Sequence, residues 1–231
     1  AAASAPKMLI LCNPSNPVGC QYGRDAFARI VRATPTGTLL VVDEAYHEYA
    51  LHDQDYPDSL ALLREWRGSW VVLRTFSKAW GLAGLRVGYG ICSDASLAEI
   101  ADRVRTPFNI NQAAQLAALA AWNEPAHMQG SVRATVHSRE LLTQALRALD
   151  LPGLRIAPSS ANFLWLDLGR PNGPVHEALL ERGIITKAWK DPGFENCLRV
   201  SIGTPEQNAD FADALGAILR AACRGRRGPA P

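Results

Sequence analysis

TLLVVDEAYHEY occupies residues 38–49, and its first six positions decide the fold class. A run this short, almost continuously apolar and stopped abruptly by polar residues reads as a buried strand of the kind found in parallel sheets covered by helices. Three further runs share its character: KMLILC at 7–12, WVVLRT at 70–75 and VGYGIC at 87–92. Helical segments are predicted between them at about 23–33, where Phe27, Ile30 and Val31 fall at helical spacing, and at 58–66. This alternation predicts an α/β fold with a mostly parallel sheet.

From about 94 to 150 the pattern turns helical, first in QAAQLAALAAW and then where Val132, Val136, Leu142, Ala145, Leu146 and Leu149 recur every three or four residues until Pro152 and Gly153 stop them. Beyond lie NFLWLDL (162–168), a helix near 174–182, GIITK (183–187), LRVSIG (198–203) and a closing helix over 205–222, which together suggest a second, smaller α/β unit. The 231 residues suit a large-plus-small pair. We place the boundary inside the long helix: residues 1–140, residues 141–223, and a basic tail at 224–231 read as a solvated end.

Composition narrows the function classes. Twenty-four basic and 22 acidic side chains leave a net charge of +2, too little for a nucleic-acid footprint. No stretch approaches the roughly 20 apolar residues of a membrane span. Five cysteines without a CxxC pair argue against a disulfide framework or zinc knuckle and suggest a reducing, cytoplasmic setting. The N-terminus lacks the basic region and long apolar stretch of a signal peptide. HEYALH is not a zinc motif either, because His52 stands five residues from His47 where that chemistry needs four, and no metal is expected.

In open α/β sheets ligands bind beyond the carboxyl ends of the strands, so the residues after each run carry the chemistry. Lys78 follows the third run and precedes a glycine-rich stretch; it is either a solvated charge or an amine able to form an imine with an aldehyde. Thr75, Ser77 and Arg86 are the donors a phosphate dianion requires, Arg86 being able to bind two oxygens, unless they belong to an ordinary strand-end turn. Asp43 ends an apolar strand, where a carboxylate needs either a cationic partner such as a protonated ring nitrogen or a local capping role, and Tyr46 follows it. In NPSNPVG (13–19), Pro17 pushes Asn16 out of the helical region, so the asparagine either offers its amide to a site or simply makes a turn.

Taken together, NPSNPVG, DEAYHEY, RTFSKAWGLAGLRVGY and CLRVSIGTPEQN, in this order, resemble the fold-type-I aminotransferases that use pyridoxal 5′-phosphate, most closely the histidinol-phosphate group. The resemblance covers nearly the whole chain. It implies that Lys78 carries the cofactor aldehyde and moves the proton of a 1,3-shift. Asp43 would keep the ring nitrogen protonated; Asn16 and Tyr46 would hydrogen-bond the ring oxygen; Thr75, Ser77 and Arg86 would grip the phosphate. Arg199 would receive the substrate's carboxylate or phosphate, its other reading being a surface arginine at a strand start. The implied partners are a small-molecule amino donor and a 2-oxo acid, with a homodimer as the working assembly.

The chain departs from the pattern in three places. Val18 replaces a threonine, and Lys187 stands where the histidinol-phosphate group often has arginine, which removes bidentate phosphate recognition there. The segment the family carries before NPxNPTG is not matched, so the chain is expected to correspond to the C-terminal part of such an enzyme and to expose sheet edges. The functions expected are therefore transamination of histidinol phosphate with 2-oxoglutarate, transamination of aromatic amino acids, decarboxylation of a threonine-phosphate-like substrate, or no turnover in a remnant.

Overall fold

The structure, a computed structural model, describes residues 6–224; most of the basic tail lies outside them. The chain divides into two units, one holding the residues up to Asn16 together with Cys20–Val132, the other holding Pro17–Gly19 and the residues from Arg133 onward. The division falls inside a single helix, α6 (Pro125–Ala148).

The first unit is built on β1 (Met8–Cys12), β2 (Leu39–Asp43), β3 (Trp70–Thr75) and β4 (Gly88–Cys92), side by side in that order. Strands β1, β2 and β3 are parallel, with Cys12 beside Asp43 and Asp43 beside Leu73, whereas β4 runs antiparallel to β3. The reversal has a local cause. The connection between β3 and β4 contains a 3₁₀ turn, Ala83–Leu85, and no α-helix, so the chain returns without the crossover that a parallel pair needs.

Helices α1 (Arg24–Ala33), α2 (His47–Ala50), α3 (Ser59–Arg64), α4 (Ala95–Val104) and α5 (Gln112–Asn123) complete the unit with α6's first turns. Asp58, Asp94 and Asn111 cap α3, α4 and α5 by accepting the N–H of Ala61, Leu97 and Ala114. The core joins Phe27 and Val31, one turn apart on α1, to Leu63 of α3 and to Leu40, Val42 and Val72 of the sheet. A second cluster packs Phe76 and Val87 on Ala114 and Ala118 of α5.

The second unit holds an antiparallel sheet of β5 (Arg155–Ile156), β6 (Phe163–Asp167), β8 (Cys197–Ser201) and β7 (Lys187–Ala188), in that order. Helices α7 (Asn172–Leu180) and α8 (Pro205–Arg224) accompany it. Leu142 and Leu146 of α6 meet Leu164, Leu166, Leu198 and Leu215 in its core. Within GIITK, Gly183 (φ 76°) donates to Leu180 and Ile184 donates to Leu179, so the segment finishes α7 and leaves only Lys187 to the sheet. Among the described residues no helix is long and apolar enough to cross a membrane.

Candidate active site

The parallel strands deliver their polar residues to one edge. At their carboxyl ends the Asn13 N–H donates to the Asp43 carbonyl and the Glu44 N–H to the Leu73 carbonyl, both at 2.9 Å, so the segments after β1 and β2 leave the sheet still tied to the next strand. Buried Asn13 pins the first of them: its Oδ1 accepts the Tyr22 N–H at 2.8 Å and its Nδ2 donates to the Tyr22 carbonyl at 3.3 Å. The Asn13–Pro14 peptide is cis, and Asn16 is exposed within the loop so formed.

Asp43 is half-buried at the end of β2. Its Oδ1 accepts the Ala45 N–H at 2.9 Å, the local turn contact read as one of its two roles, which leaves a second carboxylate oxygen to offer a ligand. Burial first, and then the Asp43 charge, raise the pKa of the neighbouring Cys12 thiol, which marks the negative field at this strand end. Tyr46 is buried three residues on, and Lys78 Nζ stands 5.4 Å from the centroid of its ring. The lysine projects from a closed turn in which the Gly81 N–H donates to the Lys78 carbonyl at 3.0 Å, Gly81 adopting the left-handed conformation (φ 73°) that suits glycine.

Thr75, Ser77 and Arg86 are brought together. The Ser77 N–H donates to Thr75 Oγ1 at 3.0 Å, and Arg86 Nη1 donates to the Ala83 carbonyl at 2.8 Å and reaches Ser77 Oγ at 3.5 Å. Arg86 itself sits at φ 54°, a conformation uncommon outside glycine that persists where surroundings over-determine it, often at ligand sites. An exposed guanidinium and two hydroxyls thus flank the lysine turn, a donor set of the kind that holds a dianion.

Behind this surface lies a polar network that sequence reasoning missed. Glu44, 1% exposed, accepts from Arg74 through both Nε and Nη2 at 2.8 Å and from Ser59 Oγ at 2.5 Å. Burial opposes the Arg74 cation, yet Glu44 beside it raises the arginine pKa overall. His47 Nδ1 lies 3.6 Å from Glu44 and 3.4 Å from Tyr56 Oη, which donates to the Asn13 carbonyl at 2.9 Å. Trp80 Nε1 donates to Glu48 at 3.0 Å. One signal was available in WVVLRT: a lone cation inside an apolar strand demands a buried acid.

Arg199 belongs to the second unit, on β8. Its guanidinium lies 5.0 Å from the Phe163 ring centroid and 6.0 Å from that of Trp189, while Lys187 of β7 and Trp165 of β6 are its two cross-strand neighbours. Two cations directly opposite on adjacent strands repel, and an anion between them removes the penalty. Among the described residues no three His, Cys, Asp or Glu side chains gather as a metal would require.

Comparison with known proteins identifies the family. The sequence model for aminotransferase class I and II matches residues 1–215. The chain belongs to that family. Family members similar to it include a histidinol-phosphate aminotransferase from Rhizobium meliloti, 50% identical over 93% of this chain and 57% of that protein, and one from Mesorhizobium japonicum, 45% identical over 95% and 59%. A solved histidinol-phosphate aminotransferase from Sinorhizobium meliloti, in complex with pyridoxal-5′-phosphate, superposes with a TM-score of 0.82 at 29% identity, over 94% of this chain and 58% of that one. The fold is the type I fold of these family members, and the chain spans less than two thirds of the length of each.

Proposed function

We propose that the protein is a pyridoxal-phosphate-dependent aminotransferase that takes histidinol phosphate as amino donor and 2-oxoglutarate as acceptor. One observation carries the reading: Thr75, Ser77 and Arg86 assemble as an anion-binding set beside the turn whose Lys78 amine stands over the Tyr46 ring. The residues present fit the group. Their chemistry is complementary to it, with hydroxyl and guanidinium donors for a phosphate, a carboxylate at Asp43 for a ring N–H, and an amine for an aldehyde. When bound, the cofactor supplies a protonated pyridine ring that accepts the electron pair left when the donor's α-carbon loses its proton.

In this reading Asp43 holds the ring proton, Asn16 and Tyr46 orient the ring oxygen, and Lys78 Nζ carries the proton that leaves the α-carbon. Arg199 binds the donor's anionic group, with Lys187 beside it in the sheet. Residues 1–140 form the large cofactor domain and 141–223 the small one, the enzyme working as a homodimer in the cytoplasm, where Cys12, Cys20, Cys92 and Cys197 remain free thiols. The histidinol-phosphate names of the curated relatives support this donor over aromatic amino acids or threonine phosphate.

The test is direct. The chain is mixed with pyridoxal 5′-phosphate, reduced with borohydride and mapped by peptide mass spectrometry; the label is expected on Lys78 and absent from Lys78→Ala. Label spread evenly over Lys7, Lys187 and Lys190 as well, or no label, overturns the cofactor assignment. Parallel assays with histidinol phosphate, phenylalanine and O-phosphothreonine then decide the donor.

A further inference from the structure

The geometry points to Trp80 and Glu48 as positioning residues for the Lys78 amine, a role that rests on the functional reading above. Trp80 follows Lys78 by two residues, and Glu48 follows Tyr46 by two. The 3.0 Å bond from Trp80 Nε1 to Glu48 Oε1 therefore ties the segment that bears the amine to the segment that bears the ring beneath it, across 32 residues of chain.

The indole is itself fixed. It stacks on Trp122 of α5 with centroids 5.7 Å apart and planes 19° apart, and it leans on buried Phe76, the residue at the other flank of the lysine turn, at 5.4 Å. With the ring plane set from two sides, the direction of its N–H is set as well. The acceptor is equally constrained, for Glu48 is 8% exposed at the start of α2. A buried carboxylate is an expensive way to join two segments that an apolar pair could join more stably. What a directional bond adds is a fixed register between its partners. Here that register decides where Lys78 Nζ lies over Tyr46, and hence from which side the amine meets a carbonyl carbon.

The experiment measures Lys78 reactivity directly. The full chain is exposed to pyridoxal 5′-phosphate for increasing times, and borohydride delivers hydride to the imine carbon, leaving a stable secondary amine on the lysine. Peptide mass spectrometry then gives the labelling rate at Lys78 relative to Lys7, Lys187 and Lys190. Trp80→Phe keeps the stacked ring but loses the N–H, and its Lys78 rate is expected to fall about tenfold while the other lysines are unchanged. Glu48→Gln keeps an acceptor oxygen and is expected to stay within about twofold. Trp80→Phe combined with Glu48→Leu removes both polar partners; it is expected to recover thermal stability while Lys78 labelling stays low. Lys78 labelling at the unmodified rate in Trp80→Phe, or its recovery together with stability in the double variant, would overturn the proposal in favour of a merely structural bond. Absence of preferred Lys78 labelling in the unmodified chain instead overturns the functional reading, and this role with it.

Discussion

His47 sits between an acid, a phenol and a half-buried arginine, and the balance of burial with these neighbours sets its charge. Burial, and secondarily the Arg74 cation, hold its imidazole down from 6.5 to about 4. The Asp58 charge pulls the other way, while the Glu44 carboxylate at 3.6 Å is already engaged by Arg74 at 2.8 Å, so the neutral ring wins. The sign of the pH effect follows from linkage. As pH falls from about 6.5 to about 4 the unfolded chain takes up a proton that the folded chain refuses, so stability is lost across that window and the loss is complete below it. The full effect is about 3 kcal/mol. Glu44 and Glu48, whose carboxyl pKa values burial raises, contribute with the opposite sign. Comparison with His47→Asn cancels their share: urea titrations at pH 7, 6 and 5 should show the unmodified chain losing more stability towards acid than the variant does, and parallel slopes would refute this assignment.

At the scale of elements, the pair of buried Glu44 and half-buried Arg74 joins the end of β2 to β3 and so fixes the strands that present Asp43 and Lys78. Removing Arg74 alone leaves a carboxylate 1% exposed without its cation, and Arg74→Ala is expected to cost about 3 kcal/mol in chemical denaturation. Replacing both, as Glu44→Met with Arg74→Met, should recover most of that loss, because the desolvation of two charges disappears with their attraction. A double variant as unstable as the single one would count against this account. The same elements show what was legible in the sequence. TLLVVD and WVVLRT announce their strands as short, continuous apolar runs, although only one face is fully buried, with Leu40, Val42 and Val72 in the core and Leu73 40% exposed; the polar residues that follow announce the site because strand ends are where a ligand meets the chain. The reversal of β4 was not legible, since it depends on how the intervening turn closes. GIITK has the composition of a strand, yet carbonyls at the end of α7 capture its N–H groups. Trp80 and Glu48 stand 32 residues apart with no shared motif, and only the folded sheet brings them together.

For the whole molecule, charge and exposed apolar surface act together. A net charge of +2 at pH 7 supplies little repulsion between copies. Meanwhile Met8 and Ile10 are half or more exposed on β1, which ends its sheet, and Leu116, Leu119 and Trp122 are exposed on α5. An edge strand with apolar side chains is a template for pairing, and a helix face that leaves large apolar groups in water is a surface for association. The chain is therefore expected to self-associate at neutral pH, and more so near pH 8.4, where its net charge vanishes. Two kinds of contact are available, and they can be separated. Ile10→Lys puts a charge on the sheet edge without disturbing the buried residues of β1, while Leu116→Lys with Leu119→Lys does the same for α5; in each case the added positive charge also raises the repulsion already present at pH 7. Light scattering at matched concentration should fall with either variant, and the larger fall identifies the dominant surface. If scattering is unchanged in both while raising the salt concentration suppresses it, association is driven by opposite charges and the apolar account is wrong.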